Sequence, residues 1–144
     1  MRKLRSSRRG SAITEFALCS TVLILMFIGG TDLARVFSIA TSLTQAAKAG
    51  AQYAAYSSGN AANASGIEAA ARAAAPALTT MTVTTSRACY CGTTTVTCGA
   101  SGVCSSEPAM YTEVRTGATY NAFLPFWGSS PTIPVGGLAR LRVK

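Results

Sequence analysis

The sequence predicts an α+β fold: a long N-terminal helix, transmembrane in its first half, continues into a small domain with a short second helix and an antiparallel sheet. Three observations predict it. Phe16–Gly30 is a run of fifteen residues without a charge. Small and apolar residues then recur at steps of three and four as far as Ala54. From Leu78 the composition turns to β-formers, with nine threonines between Thr79 and Thr97. Composition also bounds function. A chain of 144 residues holds one domain at most, or a small domain with an appendage. The absence of histidine removes Ser–His–Asp and Cys–His catalysis and every His-liganded metal site. Charged residues are 12% of the chain, against about 25% in ordinary soluble domains. No residue set supports a catalytic role, and neither a cofactor nor an ordinary cytosolic enzyme is expected.

The net charge of +8 is unevenly placed. Arg2, Lys3, Arg5, Arg8 and Arg9 fall in the first ten residues with no acid among them. Clustered arginine is a footprint of nucleic-acid binding, but this cluster runs directly into the apolar segment. It reads as a membrane-topology signal that holds the N-terminus in the cytoplasm, and no nucleic-acid partner is expected. Residues 11–31 form a helix of about 31 Å at ~1.5 Å per residue, enough for a hydrocarbon core of ~30 Å. A secretory signal peptide fits less well. Its candidate cleavage site, Ser38-Ile39-Ala40, lies ten residues beyond the apolar run. Arg8-Arg9 lacks the rest of a twin-arginine motif.

Beyond the apolar run, Leu33, Val36, Phe37, Ala40, Leu43, Ala47, Ala51 and Ala54 form the stripe of an amphipathic helix. Asp32 and Arg35, three residues apart, are expected to pair on the surface at the membrane exit. Ser57-Ser58-Gly59-Asn60 is the first stop signal, with Gly59 placed to end the helix. A second helix is expected from Gly66 to Ala75, with Ser65-Gly66-Ile67-Glu68 as its capping box and Pro76 as its end. Expected strands are Leu78–Tyr90, Thr93–Cys98, Met110–Thr119 and Thr132–Val143, the last preceded by a Gly128–Pro131 turn. The last strand places Val135, Gly137, Ala139, Leu141 and Val143 on one face, and Leu138, Arg140, Arg142 and Lys144 on the other.

Glu15 needs a reason to be where it is. A carboxylate in a spanning segment costs about 2.5–3.5 kcal/mol at the bilayer centre and less near an end. The helix N-terminus offers a mild compensation. A cut between Gly10 and Ser11 would offer more, because it creates an α-ammonium group four residues from Glu15, on the same helix or on a neighbour.

At these residues the chain resembles a known family. Arg8-Arg9-Gly10-Ser11-Ala12-Ile13-Thr14-Glu15-Phe16 is similar to a class III signal peptide of the Flp/Tad pilus type. In that pattern a short basic leader ends in Gly, and Glu followed by Phe or Tyr stands fifth and sixth after the cut. Residues Gly10 to Tyr56 resemble the TadE-like pseudopilins. The residues carrying that likeness are Gly30-Thr31-Asp32-Leu33-Ala34-Arg35 and Gln45-Ala46-Ala47-Lys48-Ala49-Gly50-Ala51-Gln52-Tyr53-Ala54. A weaker likeness continues at Thr119–Phe126. The resemblance implies a pilin-like architecture: a leader over 1–10, the membrane half of the helix over 11–31, its extracytoplasmic half over 32–58, and a domain over 60–144. It implies cleavage after Gly10 by a prepilin peptidase, possible methylation of Ser11, and an assembly or register role for Glu15 and Phe16. The implied function is that of a minor pseudopilin priming or assembling a pilus for adhesion and biofilm. Implied partners are the peptidase, the major Flp-type pilin, other minor pseudopilins, the inner-membrane assembly platform and, before assembly, membrane lipid. The implied location is the bacterial inner membrane, single-pass. Major Flp pilins are much shorter, so the bulk filament subunit is not expected.

Cys89, Cys91, Cys98 and Cys104 fall in a hairpin-sized stretch, 89–104. Zinc binding and thiol exchange are alternatives. An extracytoplasmic position favours two disulfides, and no metal site is expected. Three connectivities are open, of which Cys89–Cys91 is the least comfortable sterically. From Thr44 to Lys144 only 14 of 101 residues are Leu, Ile, Val or Phe, so bridges of about 2–4 kcal/mol each would offset a lean core. Cys19, in the apolar run, reads as a small apolar residue. Tyr120, Phe123, Phe126 and Trp127 are expected to cover the sheet rather than form an adhesive surface. Arg140, Arg142 and Lys144 are expected to be solvated edge charges. Two other functions remain open: an anchored protein with a redox or metal role at its four cysteines, and a pseudopilin of a secretion or DNA-uptake machine.

Overall fold

The computed structural model describes residues 8–99, 104, 107–122 and 132–144, with side chains from residue 12 onward. The fold is α+β. Helix α1, Arg8–Ala55, runs unbroken for 48 residues, about 72 Å at ~1.5 Å per residue. It contains no proline, and Leu, Ala, Met and Gln supply most of its helix propensity. It ends two residues before the expected Ser57. Gly59 does not terminate it. Gly59 instead lies inside a short helix α2, Ser58–Ala62, whose N-cap Ser57 accepts a hydrogen bond from the Asn60 amide at 3.1 Å.

Helix α3 spans Ala64–Ala74. Its cap is Asn63 rather than the expected Ser65: the Asn63 side-chain oxygen accepts from the Gly66 amide at 3.0 Å and from the Ser65 hydroxyl at 2.9 Å. The other half of the expected capping box is also redirected, since Glu68 pairs with Arg72 one turn on at 2.8 Å. Asn63 wins because its backbone leaves the helical region there, the geometry an N-cap requires.

Four strands follow: β1 Thr82–Cys91, β2 Thr94–Val96, β3 Ala109–Asn121 and β4 Thr132–Arg142. They form one antiparallel sheet in the order β2-β1-β3-β4. β1 begins four residues later than expected, because Leu78–Met81 forms a turn closed by the Met81 amide on the Leu78 carbonyl, burying Met81. Gly92, at φ +63°, opens the two-residue turn between β1 and β2.

One face of the sheet is covered by α1 and α3. Thr112, Val114 and Thr116 of β3 point into it, as do Val135, Gly137, Ala139 and Val143 near or on β4, at the expected alternation. The core lies here, and most of it is alanine. Ala47, Ala51 and Ala54 of α1 meet Ile67 and Val114 in one cluster, while Leu43 and Ala46 meet Ala71, Ala75 and Met81 in another. Alanine lets α1 lie close to its neighbours, and Gly50 closer still: a Cβ there would sit 3.1 Å from the Ile67 side chain. The expected stripe divides in two. Leu43, Ala47, Ala51 and Ala54 are buried, whereas Leu33 and Phe37 are 58% and 61% exposed, because the sheet packs against α1 higher up.

Candidate functional site

The lower half of α1 stands clear of the domain. Residues 12–19 and 21–27 are exposed around the whole helix, among them Phe16, Leu18, Leu23, Met26 and Phe27. The hydroxyls of Ser20, Thr21 and Thr31 are satisfied from within. The Ser20 and Thr21 hydroxyls donate to the Ala17 carbonyl at 3.0 and 2.9 Å, and Thr31 donates to the Ile28 carbonyl at 2.7 Å. A helix whose hydroxyls bond to its own backbone presents little unmet polarity to hydrocarbon. This is the described helix long and apolar enough to cross a membrane. Gly10 and Ser11 fall within its first turn, and Glu15 and Phe16 project from it into open surroundings. Gly29 and Gly30 have free space beside them, so a second helix could approach the backbone closely there.

Asp32 marks the point where the helix meets the domain. Asp32 is not at the surface as expected: it is only 3% exposed, and its Oδ1 accepts a 2.7 Å hydrogen bond from the Tyr120 hydroxyl at the end of β3. A buried carboxylate demands such a donor. The bond to Asp32 raises the Tyr120 pKa above its ordinary value, with burial adding to the rise, while the neighbouring Arg35 works against it. Tyr120, half-buried on the inner face of the sheet, therefore ties the sheet to the helix. Phe123, Phe126 and Trp127, and the Gly128–Pro131 turn, lie outside the described residues. Strand parity was the signal that could have found this contact, because Tyr120 shares the inward phase of Thr112, Val114 and Thr116.

The four clustered cysteines form two disulfides, Cys89–Cys98 and Cys91–Cys104, with Cα separations of 5.2 and 5.6 Å. The hairpin explains the first. Cys89 stands opposite Val96, so the chain leaving β2 brings Cys98 back alongside it. Cys89 is buried, and the bridges pin the short strand β2 and the following segment to β1. Cys19 is a free thiol on the exposed apolar half of α1.

Residues 10–52 match the family model described as TadE-like protein. The matched segment covers the bare half of α1, Asp32 and most of the buried half. No curated protein and no solved structure matches the chain. Over residues 10–52, less than a third of its length, the chain is similar to the TadE-like family.

Proposed function

We propose that the protein is a minor pseudopilin, cut after Gly10 by a prepilin peptidase, with a structural rather than a catalytic role in assembling or priming a Tad-type pilus for adhesion and biofilm. Residues 11–31 anchor it in the inner membrane, and residues 32–144 lie outside the cytoplasm. The observation that carries this reading is the division of α1 inside the matched segment: buried against the domain along one face from Leu43 onward, and bare over residues 12–19 and 21–27. A helix so divided has one half for its own domain and one half for lipid or like helices.

Cleavage would remove five cationic residues from the cytoplasmic end, and with them the main electrostatic hold on the inner leaflet. The new Ser11 ammonium group would lie about one helical turn from Glu15. Paired with Glu15 of a neighbouring subunit, it would favour one stagger between helices, since misregister leaves a charge unpaired among apolar side chains. Small residues at Ala17, Ser20, Gly29 and Gly30 permit the close approach. The partners in this reading are the peptidase, the major pilin, other minor pseudopilins and the assembly platform.

The test is the amount of a Glu15→Gln protein in sheared pili. A clear fall relative to wild type, with normal membrane levels, is expected. Incorporation at wild-type levels would remove Glu15 from the account. The competing metal role for the four cysteines is disfavoured because both disulfides occupy the thiols it would use, and a redox role would require bridges that mild reductants open.

A further inference from the structure

The second face of the sheet carries no helix among the described residues, and its charge is concentrated at one end. Between Gly117–Gly136 and Thr119–Pro134, the half nearest Asp32 presents no charged side chain. The far half, where β4 finishes beside the end of α1, presents Arg115, Arg140 and Arg142, with Lys144 just beyond the strand, against one strand acid, Glu113, which stands opposite Arg140. Glu113 is already engaged, accepting from Arg115 at 2.7 Å. Arg142 is exposed, stands opposite Tyr111, and has no ion pair among the described residues.

Arg140 is held in place by aromatic rings. Its guanidinium carbon lies 5.1 Å from the centroid of Tyr90 and 4.9 Å from that of Tyr111, and the two rings meet edge-on at 81° with centroids 5.8 Å apart. Rings in this position fix a guanidinium while leaving its charge near the surface. Arg140 and Arg142 are two residues apart on one strand, so their side chains leave the same face about 6.6–6.8 Å apart. The exposed hydroxyls of Thr84 and Ser86 lie on the same face of β1.

We infer that this half of the sheet is a docking surface for a linear acidic polysaccharide, whose carboxylates are taken by Arg142 and Arg140 and whose hydroxyls meet Tyr, Ser and Thr. Charge complementarity selects an anionic partner, and the guanidinium fork suits planar carboxylates. A single-stranded nucleic acid fits less well, because it needs open ring faces for stacking bases. Here Arg140 already lies over both tyrosine rings. The surface goes beyond the pilus role and is tested without pili.

The experiment measures binding of the full-length detergent-solubilised protein to polygalacturonate, with dextran and oligo(dT) as comparison ligands, at low and physiological salt. Wild type should bind polygalacturonate in preference to both, and more weakly as salt rises. Arg142→Glu should weaken binding by at least about tenfold, and Arg142→Gln by several-fold, as expected when a charge-assisted contact is lost. Lys48→Glu makes the same change of charge on α1, which covers the other face of the sheet, and at physiological salt, where the Debye length is about 8 Å, should leave affinity within about twofold. No binding by wild type at low salt, equal losses in the Arg142 and Lys48 variants, or preference for oligo(dT) would each overturn the inference.

Discussion

The Thr116 hydroxyl donates a 2.8 Å hydrogen bond to the carbonyl of Leu43, 73 residues earlier in the chain, with both residues buried. Gly137 stands opposite Thr116 on β4, and a Cβ built on it would lie 2.5 Å from the Leu43 carbonyl carbon and 2.6 Å from its oxygen. At this point the sheet touches the helix backbone itself. Together with the Tyr120–Asp32 bond farther down and the Lys144 amide donating to the Ala55 carbonyl at 3.0 Å farther up, the contact fastens the sheet along α1. The bare half of the helix is thereby held in a defined direction relative to the domain.

Gly137→Ala should separate the two. The atoms a methyl would meet are backbone, which cannot rotate away, so helix and strand must move apart. A cost of about 1–3 kcal/mol is expected, in the range of overpacked cores. Thr116→Val should cost less, about 1 kcal/mol for one net hydrogen bond. Thermal melts of the two variants give the order, and an undisturbed Gly137→Ala protein would contradict the close contact.

The disulfides should matter for resistance to proteases. With so little Leu, Ile, Val and Phe in the domain, losing a bridge of about 2–4 kcal/mol leaves little reserve. Cys89→Ser with Cys98→Ser should cause the greater loss, because Cys89 is buried in the sheet. Cys91→Ser with Cys104→Ser should chiefly expose the segment after β2 to cleavage. Limited proteolysis followed by mass mapping reads both effects, and wild-type resistance in both pairs would remove the stapling role.

The Tyr120–Asp32 bond has a pH signature. Because the folded state raises the Tyr120 pKa, its contribution is fully present below the unfolded value of 10.0 and is lost as pH rises through the folded value. Tyr120→Phe should be less stable than wild type near pH 8, and the gap should close at alkaline pH. Melting temperatures of both proteins across that range check this, and a gap that stays constant would contradict it.

The long helix and the four strands were legible because each rests on a local repeat: a step of three or four in α1, a step of two in β4, a run of threonines in β1. Matters settled by distant partners were not. Leu33 and Leu43 look equivalent in the stripe, yet only the position of the sheet decides that one is exposed and the other buried. Ser65 and Asn63 are both competent caps, and the choice falls to backbone angles. Nothing in the local spacing around Asp32 points to Tyr120, 88 residues on, whose hydroxyl donates the hydrogen bond that its burial demands. Cysteine pairing likewise waited on the Cys89–Val96 register. The processing site proposed at Gly10 and Ser11, and the role proposed for Glu15, rest on a motif, a kind of information that packing does not carry.

The most direct test of the account is the intact mass of the membrane-extracted protein from cells with and without the prepilin peptidase. A chain beginning at Ser11 only when the peptidase is present is the predicted result. A chain that retains residues 1–10 in both strains would contradict processing after Gly10 and the pseudopilin role built on it.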